Sequence, residues 1–280
     1  MTQLASESSL PASRQAPVGR EHPSRPSPVR LVAHGLGRVA SRYWTVAAFV
    51  VGWQLWSSLG GYNRIVVPAP ALVFTDVFGN LDAYLPDLGW TLAMAAGGLV
   101  VGMALGSGLA VAVWASRIAS GMITPFALVM RSVPVVAMIP VLARVLGYGW
   151  VTVLVITSVV SFFPAFVFVG ARLRDAPQAT SDLMAVLGAG RSTVLRLLLL
   201  PHAVPGLLVA FRLTAPTAVL AAMLAEYLMG GRGLGTLFAQ SVSFYQPDRA
   251  WGTALVATVV SVACFVAARA VERWGVVRFT

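Results

Sequence analysis

Long apolar runs separated by short polar stretches occupy most of the chain from Tyr43 onward. Their bounds, written as candidate membrane spans, are 43–59, 89–115, 122–146, 150–169, 206–228 and 251–271. An α-helix needs roughly 20 mainly apolar residues to cross a bilayer, and each run is close to that length. The pattern therefore predicts an all-α integral membrane protein with six transmembrane helices.

Composition agrees with this pattern and excludes a soluble domain. The 280 residues are 58% hydrophobic and 11% charged, with a mean hydropathy of +0.79. The net charge is +10, and all 20 basic residues are arginine. Because lysine is absent, the chain has no phosphate-binding loop of the Gly-x-x-x-x-Gly-Lys type. Any ATP hydrolysis linked to this protein must occur on another chain.

The arginines also predict how the chain is oriented in the membrane. Fourteen fall on the side of the two termini, four fall on the opposite side, and Arg131 and Arg212 lie inside predicted spans. Cytoplasmic loops carry an excess of Lys and Arg. Both termini and the segment 172–205 are therefore expected in the cytoplasm. Since the arginines follow the membrane topology, we expect a lipid membrane as partner and no nucleic acid.

The ends of the chain differ from its apolar middle. Residues 1–41 are rich in Ser, Pro and Arg, with almost no large apolar side chains. Such a segment cannot bury enough surface to fold, so we predict a disordered cytoplasmic tail. The rest divides into a transmembrane domain, 42–275, and a short C-terminal tail, 276–280.

Two further features concern the first half of the chain. Pro70 suits the first turn of a helix, and we predict an interfacial helix there on the outer surface. The apolar residues that would share one face of this helix are Val73, Phe74, Val77, Phe78 and Leu81. In the second span, small residues allow a neighbouring helix to approach closely. These residues are Gly97, Gly98, Gly102, Gly106 and Gly108.

One polar segment, residues 172–205 and called the elbow below, lies between the fourth and fifth spans. Its central part reads SDLMAVLGAGRSTVLRLLLLPHAVPG. Asp182–Leu187 predicts a short helix that Gly188–Gly190 breaks, because glycine tolerates turn conformations. Arg191–Leu200 predicts a second short helix that gives way at Pro201. The apolar residues sharing a face are Leu183, Met184 and Leu187 on the first helix, and Leu195, Leu198 and Leu199 on the second.

These residues resemble the EAA loop of ABC importer permeases, whose pattern is Glu-Ala-Ala, then Gly, then Leu-Pro. Asp182 stands in the Glu position, Ala185 follows in the same helix and Gly188 matches the Gly. Leu200 and Pro201 match the Leu-Pro, with the proline thirteen residues after the glycine. The departures are Asp for Glu, and Leu-Met where the family has two alanines.

Three other stretches resemble permeases of the nitrate, taurine and sulfonate group. They are VVPAPALVF after the first span, RSVPVVAMIPVLARVLGYG in the third, and Gly-Leu-Gly at 233–235 after the fifth. The resemblance implies the MetI-like permease fold and a subunit that forms the substrate pathway of an importer. It also implies residence in a bacterial inner membrane.

In that family the loop inserts into a groove on a separate ATPase subunit and transmits its movements. The ATPase-coupling residues that the match indicates are Asp182, Ala185, Gly188, Arg191, Leu200 and Pro201. The implied partners are ABC ATPase subunits, an extracytoplasmic substrate-binding protein and a second permease subunit. A homodimer is expected, because one chain carries one elbow.

Three charges lie within apolar runs: Arg131, Arg212 and Glu226. An unpaired charge there costs about 2.5–3.5 kcal/mol on insertion scales, so these side chains should face protein, water or a substrate path. If the arginines attract substrate, it is a small anion such as a sulfonate, taurine or nitrate. Alternatively, the arginines pair with helix-end carbonyls and Glu226 sits at the outer interface.

Two other functional classes were weighed. A secondary transporter or channel would use the three intramembrane charges for ion coupling, but it leaves the spacing of the elbow unexplained. An integral membrane enzyme lacks support, because no cluster of His, Cys or carboxylates suggests catalysis. Cys264 is the one cysteine, and the three histidines are scattered. No catalytic, metal or cofactor site is predicted.

Overall fold

The computed structural model describes residues 28–61, 63 and 65–279. The chain divides after Gly52 into two compact units. In the first unit, the described residues belong to helix α1 (Pro28–Leu59). The second unit contains the end of α1 and every later element.

The described residues form helices joined by short connections, and no strand occurs among them. The elements after α1 are α2 (Pro70–Gly79), α3 (Leu81–Ala115), α4 (Arg117–Ser132), α5 (Val135–Leu146), α6 (Trp150–Arg174), α7 (Gln178–Val186), α8 (Arg191–Val194), a π-helical turn (Leu195–Leu199), α9 (Leu200–Met229), α10 (Leu234–Ser243) and α11 (Pro247–Phe279). The all-α prediction is confirmed.

Within the described chain, four helical segments are long and apolar enough to cross a membrane. They are Leu81–Ala115, Trp150–Arg174, Arg191–Met229 and Pro247–Arg278. They contain the second, fourth, fifth and sixth predicted spans. The first predicted span lies in α1, which is not among the four. The six-span count stays a prediction.

The third predicted span, 122–146, is two helices rather than one. Helix α4 ends at Ser132 and α5 begins at Val135, with Pro134 as its extended N-cap residue. A proline N-cap with ψ of 120° turns the chain away from the helical path. The interruption therefore occurs at Pro134, whereas Pro125 and Pro140 lie inside helices.

Several other helices are longer than the sequence predicted. Helix α3 begins at Leu81 instead of residue 89, and α11 continues to Phe279. Helix α1 begins at Pro28. Residues 28–41 are therefore helical, although they were expected in the disordered tail. The apolar residues of the predicted tail are concentrated after Pro28, at Val29, Leu31, Val32 and Leu36, a local pattern that the composition of 1–41 as a whole does not show. Residues 1–27 of the predicted tail lie outside the described residues.

Helices α3 and α6 pack with almost no side chain between their backbones. A Cβ on Gly98 would overlap Thr157, and a Cβ on Gly102 would overlap the carbonyl oxygen of Ser158. Gly106 is equally close to the α6 backbone. The spacing of four residues places these glycines on one face of α3. The predicted close approach is confirmed for these three, whereas no atom lies within 4 Å of a Cβ at Gly108.

Helix α2 begins at Pro70, as predicted. Val73 and Val77 are buried, but Phe78 is exposed and Leu81 belongs to the next helix. The helix packs against α11, and an ion pair at 3.4 Å joins Asp76 Oδ1 to Arg249 Nη2. These contacts make α2 part of the packed unit. Its expected place at the outer membrane surface stays a prediction.

Candidate functional site

The first half of the elbow is an exposed helix closed by a glycine turn. Helix α7 begins at Gln178, four residues before the predicted start. After the helix, the N–H of Ala189 donates to the carbonyl of Met184 at 2.9 Å, and the N–H of Gly188 donates to that of Ala185 at 3.0 Å. This pair of bonds is the Schellman motif, which needs a left-handed residue, and Gly188 has φ of +69°. A glycine turn therefore separates α7 from α8.

The second half of the elbow differs from the prediction. No break occurs at Pro201: Arg191–Met229 is one continuous helical segment of 39 residues. A π turn precedes the proline, and the N–H of Leu200 donates to the carbonyl of Leu195, five residues back. The proline ring ordinarily clashes with the carbonyl four residues earlier. The wider π turn relieves that clash, so the helix passes through Pro201 and on into α9.

The two halves of the elbow present different surfaces. No residue of α7 is buried, and Val186 and Leu187 are 85% and 70% exposed. The predicted apolar face of the second helix points inward instead. Leu199 is buried, and Leu195 and Leu198 pack in the same cluster as Val169 and Leu173 of α6. The exposed apolar surface therefore comes mainly from α7.

The six expected coupling residues fall into two groups. Asp182, Ala185, Gly188 and Arg191 are exposed at or beside the glycine turn. Leu200 and Pro201 are also exposed, but they lie at the start of α9, beyond the π turn. No ion pair joins Asp182 to Arg191 in the described part of the chain. Their role in binding an ATPase stays a prediction.

Glu226 lies inside the protein, near the end of α9. Its side chain is 1% exposed. The hydroxyl of Thr91, on α3, donates to Oε2 at 2.8 Å, and the N–H of Gly235 donates to the same oxygen at 3.1 Å. Thr91 Oγ1 in turn accepts a hydrogen bond from the N–H of Leu234 at 2.9 Å. One carboxylate thus joins α3, α9 and the start of α10.

The loop before α10 is shaped around this carboxylate. Gly233 has φ of +110°, and a Cβ there would overlap the carboxyl group of Glu226. Its N–H donates to Oδ1 of Asp87 at 3.0 Å. A Cβ on Gly235 would lie 2.8 Å from the Cβ of Glu226. We call this set, Asp87, Thr91, Glu226, Gly233 and Gly235, the Glu226 clamp.

Sequence reasoning noted Glu226 and the Gly-Leu-Gly stretch separately and missed their contact. It also indicated no helix between the fifth and sixth predicted spans, whereas Leu234–Ser243 is helical. Thr91 and Asp87 carried no signal of their own, because a single Thr or Asp in a helix has many ordinary roles. Only their contacts, 143 and 146 residues apart in sequence, reveal the clamp.

Arg212 is neutralised by a carboxylate rather than by helix-end carbonyls. Its Nη1 lies 2.9 Å from Oε2 of Glu272, on α11. The sequence interpretation missed this partner because the predicted sixth span ended one residue earlier, at 271. The side chain of Arg131 lies outside the described residues; its backbone belongs to α4. The two charges with described side chains, Arg212 and Glu226, have different partners: Glu272 for Arg212, and Thr91 with Gly235 for Glu226.

Residues 98–275 match the family described as the binding-protein-dependent transport system inner membrane component. The chain belongs to this family. The matched region runs from the middle of α3 into α11 and includes the whole elbow and both Glu226 and Arg212. Membership makes the chain a membrane component of a transport system and not an enzyme.

Relatives in bacteria are similar over most of their length. A probable ABC transporter permease protein of Haemophilus influenzae is 25% identical over 220 residues, covering 79% of this chain and 90% of the relative. The riboflavin transport system permease protein RibX of Chloroflexus aurantiacus is 25% identical, with coverage of 82% and 86%. The taurine transport system permease protein TauC of Escherichia coli is 23% identical, also with coverage of 82% and 86%.

Solved structures show the same fold. A chain of the MetNI methionine ABC transporter in an inward-facing conformation aligns with a TM-score of 0.59 and 20% identity, over 70% of this chain and 97% of that one. A chain of an amino acid ABC transporter crystallised with histidines aligns with a TM-score of 0.61 and 14% identity, over 71% and 97%. The helical architecture is therefore that of these transporter chains.

Proposed function

We propose that this chain is the permease subunit of an ABC importer and that the elbow couples it to a separate ATPase subunit. The observation that carries the proposal is the shape of the elbow: an exposed helix, a Schellman turn at Gly188 and a second helix continuous with α9. Family membership and relatives named as ABC permeases support the same function.

The exposed face of α7 supplies the surface for this contact. Leu183, Val186 and Leu187 are all exposed although they are apolar. Full burial of a Val or Leu side chain contributes about 1.5–3 kcal/mol, so a groove that covers this face gains substantial binding free energy. Exposed apolar patches on otherwise packed proteins commonly mark protein–protein contacts. We infer that α7 is the part of the elbow that enters the ATPase groove.

The second half of the elbow provides a continuous helical route by which movements of the ATPase reach the membrane domain. Arg191–Met229 is continuous, with an expected length of about 58 Å at 1.5 Å per residue. Its first turn lies beside Gly188, and the residues near its other end include Glu226. A displacement of α8 by the ATPase would therefore be carried along one helix to the Glu226 clamp. This gives ATP-driven movement a physical path between the two ends of the permease.

The wider assembly follows from this function as a proposal. Two copies of the chain would form the pathway, with two ATPase subunits on the elbows and a substrate-binding protein on the opposite side. The elbow and both termini would lie in the cytoplasm. The arginine distribution supports this orientation, because fourteen of 20 arginines fall on the elbow side.

The charge of the substrate is the property that the intramembrane residues bear on. The intramembrane arginines suggested a small anion such as a sulfonate, taurine or nitrate. Relatives are named for taurine and for riboflavin, which differ greatly in size, so their names select no substrate. Arg212 is paired with Glu272 and carries less free positive charge than the sequence suggested. Ligand binding to the cognate binding protein, measured by calorimetry with taurine, nitrate and an uncharged control, tests the anion prediction.

A secondary transporter or channel is less well supported. It required Arg131, Arg212 and Glu226 to be available for ion coupling. Arg212 forms an ion pair, and Glu226 accepts two hydrogen bonds inside the clamp. Both side chains therefore have a structural role in the fold, whereas a secondary transporter or channel would have no use for the exposed elbow.

The test of coupling is substitution at Gly188. No atom lies within 4 Å of a Cβ at this position, so Gly188→Leu points its bulk into open space where the ATPase is proposed to bind. We expect normal membrane insertion, loss of the ATPase on co-purification and loss of uptake. Asp182→Ala, which removes one exposed charge, should retain partial assembly.

A matched control separates bulk from backbone strain. The left-handed conformation at φ of +69° disfavours most side chains, but Asn adopts it readily. Gly188→Asn should therefore keep the turn and retain more ATPase than Gly188→Leu. If Gly188→Leu holds the ATPase as well as wild type and still supports uptake, the elbow is only a connector and the proposed coupling is wrong.

A further inference from the structure

A cavity of about 550 Å³ opens beside the elbow, where the end of α3 meets the start of α8. Two arginines far apart in sequence, Arg117 and Arg191, line it together with Ser192. The remaining lining residues are Trp114, Ala115 and Leu195. The fold thus brings two guanidinium groups and a hydroxyl to one opening.

No acidic side chain lines this cavity. Neither Arg117 nor Arg191 forms an ion pair with another described residue. Two cations at one opening repel each other unless an anion lies between them. The planar guanidinium binds phosphate through two parallel N–H donors, and a serine hydroxyl can donate a further bond. The chemistry of the cavity therefore suits a phosphate group.

The position of the cavity indicates where that phosphate comes from. Helix α3 is one of the four segments apolar enough to cross a membrane, and it ends at Ala115. Trp114, the residue before, is half-buried, and tryptophan is enriched where membrane spans meet the headgroup region. The cavity thus lies at the level expected for lipid headgroups. Its apolar side, formed by Trp114, Ala115 and Leu195, can accept the glycerol end of a lipid.

We propose that this cavity binds the phosphate of an anionic phospholipid from the cytoplasmic leaflet. The proposal deepens the proposed function and rests on the cytoplasmic placement of the elbow. Arg191 is the first residue of α8, so a bound headgroup would fix the start of the helix that leads into α9. Anionic lipid is then a component of the coupling site, and transport should depend on the lipid composition of the membrane.

Native mass spectrometry of the full-length chain tests the proposal. The purified protein is titrated with phosphatidylglycerol, with phosphatidylcholine and with inorganic phosphate. We expect phosphatidylglycerol to be retained, phosphatidylcholine to be retained much less, and inorganic phosphate at millimolar concentration not to displace the bound lipid. If phosphatidylcholine binds equally well, or if inorganic phosphate displaces the lipid, the assignment to an anionic lipid is overturned.

The residues are tested with the double variant Arg117→Gln/Arg191→Gln. Each arginine near an anionic membrane surface contributes about fivefold in binding, so the double variant should retain phosphatidylglycerol about 25-fold less well. Arg196→Gln is the matched control, because Arg196 is exposed on the same elbow but does not line the cavity. The control should bind lipid as wild type does. Equal lipid retention by the double variant and wild type would overturn the proposal.

Co-purification of the ATPase keeps this result separate from the proposed function. This arm uses Arg117→Gln alone, because Arg191 is also one of the six expected coupling residues and Arg117 is not. An Arg117→Gln variant that loses phosphatidylglycerol supports the lipid site, and if it still holds the ATPase the coupling proposal also stands. An Arg117→Gln variant that keeps phosphatidylglycerol as wild type does overturns the lipid proposal, whether or not it holds the ATPase. The Gly188→Leu result decides the coupling proposal in either case.

Discussion

Replacing Gly102 with alanine should loosen the contact between α3 and α6, although alanine favours helices. A Cβ at this position would overlap the carbonyl oxygen of Ser158 and lie 2.8 Å from the Cβ of Ser161. Carbon atoms in favourable contact are about 3.5–4.0 Å apart. The two helices must therefore separate by roughly 1 Å, and the atom in the way is backbone, which has no other rotamer to adopt.

The magnitude follows from two opposing contributions. Overpacking a tight contact costs about 1–3 kcal/mol, and the upper part of that range applies where backbone blocks the new group. The gain in helix propensity from Gly to Ala is about 1 kcal/mol. We therefore expect Gly102→Ala to lower the free energy of unfolding by about 2 kcal/mol. The loss should extend to neighbouring turns, because Gly98 and Gly106 lie on the same close contact.

The assay is reversible unfolding in mixed micelles of detergent and SDS, followed by the loss of helical circular dichroism. Gly108→Ala is the matched control, since it lies on the same helix and has no atom within 4 Å of a new Cβ. The control should be as stable as wild type or slightly more stable. If Gly102→Ala and Gly108→Ala unfold together, the backbones of α3 and α6 are not as close as described and the reasoning fails.

Three other predictions concern the clamp, the Arg212–Glu272 ion pair and the topology. Thr91→Val leaves the Leu234 N–H without its acceptor and should cost about 1–3 kcal/mol of stability in the same assay, whereas Thr91→Ser should be close to wild type. Arg212→Ala leaves the Glu272 carboxylate unpaired in a largely apolar setting and should lower the free energy of unfolding by about 3 kcal/mol. The double variant Arg212→Ala/Glu272→Ala should recover part of that loss, and no recovery would contradict the pairing. In a membrane preparation, a cysteine at Ser192 should be labelled only from the cytoplasmic side and one at Ser243 only from the outside; labelling of position 192 from outside would overturn the proposed orientation.

The elbow and the Glu226 clamp lie near opposite ends of one helical segment. Both are attached to the continuous segment Arg191–Met229. Thr91→Val removes a hydrogen bond that holds one end of this helix in the clamp. Gly188→Leu instead disturbs the proposed contact with the ATPase beside the other end of the helix. Their separate effects on uptake and on ATPase retention would show which end limits transport.

Much of the architecture could be predicted from local sequence. Apolar runs of sufficient length indicated the helices, and Pro70 indicated the start of α2. Gly188 indicated the turn in the elbow, because a left-handed residue after a helix is usually glycine. These features depend on residues within one or two turns of each other. The spacing of Asp182, Gly188 and Pro201 also led to the right family before any contact was known.

The continuity of the helix through Pro201 depended on more than local preference. Proline alone favours an end to the helix, and the sequence prediction followed that preference. The π turn that accommodates it is stabilised by packing, because it places Leu199 in a buried cluster with Val169 and Leu173 of α6. The free energy gained from burying those side chains outweighs the irregular hydrogen bonding of one turn.

The partners of the buried charges were decided by the tertiary structure alone. From the sequence, Glu226 and Arg212 were charges in apolar runs, for which either a substrate path or a structural partner was reasonable. The fold places Thr91 and Gly235 around Glu226, and Glu272 beside Arg212. Hydropathy records only that a charge in an apolar segment needs a partner. Which group provides it depends on distances between helices remote in sequence, and these distances exist only once the helices have packed.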